Sequence, residues 1–305
     1  MKITSTVQLQ KYSNVVNEFT FSKVHPFESV SITKYLNKYF TDALLDIIFG
    51  YDGEATGSVK LKAYEALMQA HVSFTMLEYS SEGELTISDL GFIRSENENA
   101  KTAYAQQMKK YVEAQEENGY LFIGKLIELI LSEPASFTGY LTSPVFVNNA
   151  KLFIKSAVEF NMIQRLYRMH TTFYEISPAI VEVQDLQIIP AIGATLFTEL
   201  LANANGMHAD KVIARSYIIT AIVNLTMAVA LKKNLVKLTP NGVMVIGHDY
   251  QTSKQIESSP IPEYTATTYT SFNDTGIRYL ERAKKQLISA GFITETTTEA
   301  KRFIA

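Results

Sequence analysis

Sliding this chain against itself by 151 places, with no gap from Lys60 to Phe92, lays one apolar helix and turn over another. Lys60 meets Lys211, Ala63 meets Ala214, Ala70 meets Ala221, Val72 meets Val223, Thr75-Met76 meets Thr226-Met227, and Gly91 meets Gly242. Conservative pairs fill the positions between: Leu67 with Ile218, Phe74 with Leu225, Leu85 with Val236, Ile87 with Leu238. An internal repeat is a strong constraint because both copies must bury the same apolar face and turn at the same place.

The match continues on either side at a slightly different offset, as loops of unequal length require. Upstream, "YFTDALLDIIFG" (Tyr39 to Gly50) resembles "LFTELLANANG" (Leu196 to Gly206), a helix ending at a glycine suited to a left-handed cap. Downstream, Tyr120, Ile123, Leu126 and Ile130 recur at helical spacing, as do Ile277, Leu280, Ala283 and Leu287, with Asn273 or Asp274 as the expected cap of the second helix. "NLVKLTPNGVMV" (Asn234 to Val245) has two alternating apolar runs around Pro240-Asn241-Gly242 and predicts a β-hairpin; "GELTISDLGFIR" (Gly83 to Arg94) is its counterpart. The expected fold is therefore mainly α: two tandem similar helical-bundle domains, each carrying a β-hairpin, over residues 1–140 and 141–305. The break falls in "SEPASFTGYLTSP" (Ser132 to Pro144), where Pro, Gly and Ser punctuate the chain.

Between hairpin and last helix the copies differ. Glu96 to Asn118 is charged and reads as partly helical, with Ala100, Ala103, Tyr104 and Met108 on one face. Gly247 to Thr270, with two prolines and many Ser/Thr, reads as a long polar extended arm. The stretch "AKLFIKSAVEFNMIQRLYRM" fits helix or helix plus turn.

Composition removes several function classes. The 305 residues contain no cysteine, which excludes disulfides, thiolate metal sites and a thiol nucleophile. The first residues lack an apolar core of the kind that marks a signal peptide. Ser216 to Leu231 gives 16 uncharged residues, short of the roughly 18–20 a bilayer span needs, and Asn224 and Thr226 lie inside it, so it reads as a buried core helix. A net charge of −3 without any basic block argues against tight binding of nucleic acid.

No phosphate loop, dinucleotide fingerprint, nucleophile elbow or paired metal-type histidines appear, and no catalytic residue, cofactor or metal is expected. His71 lies on the apolar face of Leu67, Met68 and Phe74 and aligns with Ile222, which makes it a core or interface histidine in need of hydrogen-bond partners. Asp42 and Asp46 sit one turn apart, but the second copy offers Glu199 and Asn203, and an exposed helix face is the reading.

The order "FTDALL", Thr75-Met76, hairpin at Gly91 and final helix, repeated as "FTELLA", Thr226-Met227, hairpin at Gly242 and final helix, resembles the small helical head-to-tail connector proteins of tailed bacteriophages. It is most similar to the form in phages of Bacteroidota-type hosts, fused in tandem. The resemblance implies a non-enzymatic virion protein of the neck, made in the host cytoplasm. It would form a homo-oligomeric ring, twelvefold to match the portal protein, extend the DNA channel without sequence-specific binding, and dock the tail or the next neck ring. No single residue carries over, because such interfaces are surfaces. The contact candidates are the hairpin residues Leu235, Val236, Leu238, Asn241, Gly242, Val243 and Val245, with Tyr250, Tyr264 and Tyr269 of the arm. Two alternatives stand beside it: a non-viral cytoplasmic helical scaffold that holds two partners, and an enzyme with a site between the two halves.

Overall fold

The computed structural model describes residues 3–13, 21–53, 57–82, 98–202, 206–233, 235–239, 242–245 and 262–294. The protein is mainly helical and divides into two compact units, Met1–Val147 and Asn148–Ala305.

The first unit opens with a short extended segment and helix α1 (Thr6–Tyr12), then α2 (His25–Ser31), which runs on through a π-helical turn, Ile32–Leu36. Next come α3 (Asp42–Phe49), α4 (Val59–Glu82), α5 (Glu98–Ser132), α6 (Thr138–Leu141) and α7 (Pro144–Ala150), the last at the junction. Helix α4 is the axis of the unit. Its residues from Ala66 to Tyr79 are buried except Gln69, because α1, α2, α3 and α5 all pack against it, and a helix apolar around its circumference is stable only when so surrounded.

The second unit repeats the plan with α8 (Ala157–Asn161) and α9 (Met169–Val183), extended by a π-helical turn (Gln184–Ile188) into α10 (Ile189–Ile192). Gly193, at φ 85°, then bends the path by 113° into α11 (Ala194–Ala202). Helix α12 (Ala209–Lys232) is followed by strands β1 (Val236–Thr239) and β2 (Gly242–Val245), then α13 (Pro262–Ser289). At 24 residues α12 is longer and more apolar than its uncharged stretch suggests, enough by length and composition to cross a membrane. In this fold it is the core helix: Ile218, Ile222, Leu225 and Met227 are fully buried against α9 and α13.

The hairpin pairs Val236 with Val245 and Thr239 with Gly242. Its second strand also meets the chain ahead of α9: Val243 N–H donates to the Arg165 carbonyl at 2.9 Å and Tyr167 N–H donates to the Val243 carbonyl at 2.8 Å. Gly242 is needed twice over, for its φ of 124° and because a Cβ there would lie 2.8 Å from the Arg165 oxygen. The first hairpin, Gly83 to Arg94, lies outside the described residues.

Several boundary expectations change. The final helices start earlier than their apolar repeats suggest: α5 is one helix of 35 residues, and α13 begins at Pro262, so Asn273 and Asp274 are interior and cap nothing. Residues 262–270 of the expected extended arm are therefore helical. Proline at a first helical position is favourable, since its missing N–H has no partner there in any case. Gly50 ends α3 at φ −78°, not in the left-handed region; Gly206, at φ 85°, is in it.

Candidate functional site

The densest polar chemistry among the described residues lies inside the first unit, where α2 crosses α4. Glu28 and Ser31 project from α2, and His71 and Thr75 from α4; His71 is 0 % exposed and Glu28 4 %. His71 Nδ1 is 2.8 Å from Ser31 Oγ and its Nε2 is 3.4 Å from Glu28 Oε2. The same carboxylate oxygen accepts the Ile3 N–H at 3.0 Å and so ties the leading segment to the core. Thr75 Oγ1 donates to the His71 carbonyl (2.8 Å) and lies 3.0 Å from Ser31 Oγ, which in turn lies 2.9 Å from the Glu28 carbonyl. The ring of Phe49 meets His71 edge-on at 5.5 Å.

Serine, histidine and glutamate together have the composition of a hydrolytic triad, but here all three are enclosed. A nucleophile must leave a position about 3 Å away for the reacting atom, and packed side chains occupy the surroundings of Ser31 Oγ. What this arrangement does chemically is hold the leading segment, α2 and α4 together. Among the described residues no group of three or more His, Asp or Glu could hold a metal ion. Asp42 and Asp46 are both exposed on α3.

A second polar contact stands farther along α4, where Glu78 accepts from Lys34 (2.7 Å) and the Tyr35 hydroxyl (2.5 Å). Tyr35 stacks flat on Phe74 with ring centroids 4.2 Å apart, and Phe74 meets Tyr120 edge-on. Burial first, then the Glu78 carboxylate, pushes the Tyr35 phenol well above its ordinary range; burial pushes Tyr111 up to about 12. An unfolded tyrosine releases its proton near pH 10, so above that pH the unfolded chain binds fewer protons than the folded one, and stability falls as pH rises. We expect alkaline unfolding to steepen between about pH 10 and 12, and Tyr111→Phe to reduce the loss by about 2 kcal/mol, read from urea midpoints across that range.

The second unit repeats the helix caps and the long-helix contact of the first. Ser5 caps α1 by accepting the Gln8 N–H at 3.2 Å, and Ser156 caps α8 by accepting the Glu159 N–H at 3.1 Å. Each of those third residues reaches back to the N–H before the cap, Gln8 to Thr4 (2.8 Å) and Glu159 to Lys155 (3.4 Å). Where Glu28 holds Ile3, the buried Gln184 Oε1 accepts the Phe153 N–H at 2.6 Å. A Cβ on Gly119 of α5 would lie 2.5 Å from the Phe74 ring, and one on Gly276 of α13 would lie 2.5 Å from Leu225 Cγ. Phe74 and Leu225 are partners in the repeat, so both long-helix pairs meet through the same knob-on-glycine contact.

Comparison with known families agrees with this duplication, since one family model matches the chain twice, over residues 28–149 and 188–290. The chain belongs to DUF6712, a family of unknown function. No curated protein and no solved structure matches it. The DUF6712 stretches leave out both leading segments, yet these repeat at the same 151-place offset as α4 and α12: Ile3 with Ile154, Ser5 with Ser156, Val7 with Val158. Sequence reading passed over that signal because α1 and α8 are too short to show a period.

The hairpin and arm candidates are dispersed in this DUF6712 chain. Val236 and Val243 are buried in the core of the second unit, and Gly242 backs on Arg165, so these three serve the unit itself. Strands bury their apolar side chains on the nearest core, here α12 and the chain ahead of α9. Leu235 is 37 % exposed, Leu238 and Val245 occupy paired strand positions, and Tyr264 and Tyr269 lie on α13 with Tyr269 half-buried. Asn241 and Tyr250 fall outside the described residues.

Proposed function

We propose that this DUF6712 protein is a structural virion component, a head-to-tail connector whose copies form a ring beneath the portal of a tailed phage, extend its DNA channel and dock the tail or the next neck ring. The reading gives it no catalytic step, cofactor or membrane. It places the protein in the neck of the virion after synthesis in the host cytoplasm.

One observation carries the proposal: a rigid helical body, duplicated down to its caps and its knob-on-glycine contacts. A ring subunit must make the same kind of contact repeatedly, and a chain that presents one body twice is suited to that. Both copies also expose the same apolar position on their first helix, Val7 at 75 % and Val158 at 48 %. The contacts outside the core fall to such surfaces, to Leu235 and to the backbone of the hairpin, which can add a strand.

Electron cryomicroscopy of the purified chain, alone and mixed with a portal protein, tests the reading. A closed ring, or one that forms only on the portal, is expected. A chain that stays monomeric and ignores portals overturns it and favours the two-partner scaffold.

A further inference from the structure

Both units fasten their leading segment with one buried side-chain oxygen, but the chemistry differs. In the second unit the acceptor is Gln184, an amide that does not titrate. In the first it is Glu28, a carboxylate in contact with His71, and position 71 corresponds to Ile222 in the second unit.

The hydrogen bonds around His71 serve two protonation states without moving a heavy atom. With a neutral ring, Nε2–H donates to Glu28 Oε2, and Nδ1 accepts from the Ser31 hydroxyl 2.8 Å away. With a protonated ring, Nδ1–H donates to Ser31 Oγ, and the Ser31 hydroxyl turns to the Glu28 carbonyl at 2.9 Å. Thr75 keeps the His71 carbonyl as an acceptor in either case. The states differ electrically: the protonated ring places a positive charge beside a carboxylate that is almost wholly removed from water, and the neutral ring does not.

Other ionisable groups face this region. Tyr12 of α1 and Tyr111 of α5 are both pushed upward by burial and stay protonated near neutrality. Tyr79 lies on α4, as does Glu78, which is engaged by Lys34 and Tyr35. His25 of α2 packs its ring on Phe21, and α3 contributes only the Phe49 ring to the His71 contact.

We propose that Glu28 and His71 make the fastening of the first leading segment proton-controlled: tight while His71 carries its proton, looser once the proton is lost, with the Gln184 fastening of the second unit as its pH-independent counterpart. The inference is separate from the connector reading, since it concerns residues 3–12 and not the assembly they enter. Its consequence is that a change of pH can loosen one leading segment of the chain and leave the other in place.

Hydrogen exchange of the full chain tests this from about pH 5.5 to about pH 8.5, a range that brackets ordinary histidine titration, with rates corrected for intrinsic exchange. Protection over residues 3–12 is expected to fall roughly tenfold as pH rises, the change equivalent to one unit of proton affinity, while residues 153–161 stay level. Glu28→Gln, which imports the acceptor of the second unit, should flatten the first profile. His71→Gln, which can neither gain nor lose a proton there, should flatten it too. A level wild-type profile over residues 3–12, or a slope that survives either substitution, overturns the proposal.

Discussion

His71→Ala is expected to lower the stability of the first unit by about 3–5 kcal/mol at a pH where the ring carries its proton, the cost of breaking a buried charged contact by removing one partner. The substitution takes two ring nitrogens from Ser31 and Glu28 and opens a cavity beside Phe49 in a closely packed interior. Glu28 would keep the Ile3 N–H but lose the imidazole, and α2 would lose its side-chain link to α4 at that point. Denaturant unfolding, with hydrogen exchange over α1, α2 and α4 to place the loss, measures the effect. A loss below about 1 kcal/mol would mean the network is incidental. The repeat supplies a sharper version. His71→Ile gives position 71 the residue of the second unit and should be nearly as harmful alone. Combined with Glu28→Gln it leaves no ionisable group in the network; the second unit likewise fastens its leading segment with the Gln184 amide and buries Ile222 at the aligned core position. The double variant should therefore recover at least about 1 kcal/mol relative to the sum of the single losses, as residues in one network do when changed together.

That network shows where sequence reading reaches its limit. His71 was legible as a core histidine because its neighbours Leu67, Met68 and Phe74 set the apolar face of α4. Its partners were not, because Ser31 and Glu28 lie 40 and 43 residues away in a stretch without a clear period. The long helices were legible for the opposite reason, since sustained periodicity over many turns leaves few alternatives. Their starting points were hidden: residues 262–270 are helical, yet they are polar and Thr-rich, a composition of weak helix propensity. The hairpin was recovered from Asn241-Gly242, but alternation cannot say whether an apolar strand face meets its own core or a partner, and Val236 and Val243 meet their own core. The glycine contacts were available to a longer comparison. Phe40 with Phe197, Tyr120 with Ile277 and Gly119 with Gly276 all share an offset of 157 places.

Those glycines give the other large effect. Gly119→Leu and Gly276→Leu should each cost about 3 kcal/mol or more, the upper end of what overpacking a close-packed site exacts. A glycine inside a helix normally costs about 1 kcal/mol relative to alanine, so at an indifferent site Gly→Ala would stabilise by that amount. Here a Cβ on residue 119 would sit 2.5 Å from the Phe74 ring, which is itself held between Tyr35 and Tyr120 and cannot swing aside. At residue 276 it would sit 2.5 Å from Leu225 Cγ and 3.1 Å from the Leu225 backbone nitrogen, so moving the side chain alone does not relieve the contact. The two sites should accordingly respond differently to a smaller neighbour. Gly119→Leu with Phe74→Ala should regain part of the loss, because the ring is the obstacle. Gly276→Leu with Leu225→Ala should regain less, because the backbone of α12 remains. Urea unfolding of the four variants measures both, and a Gly→Ala substitution that stabilises either unit by about 1 kcal/mol would show that the helices do not meet there. If the costs appear as expected, the spacing of each long-helix pair is fixed by a residue without a side chain, which makes each unit the stiff body that a ring subunit requires.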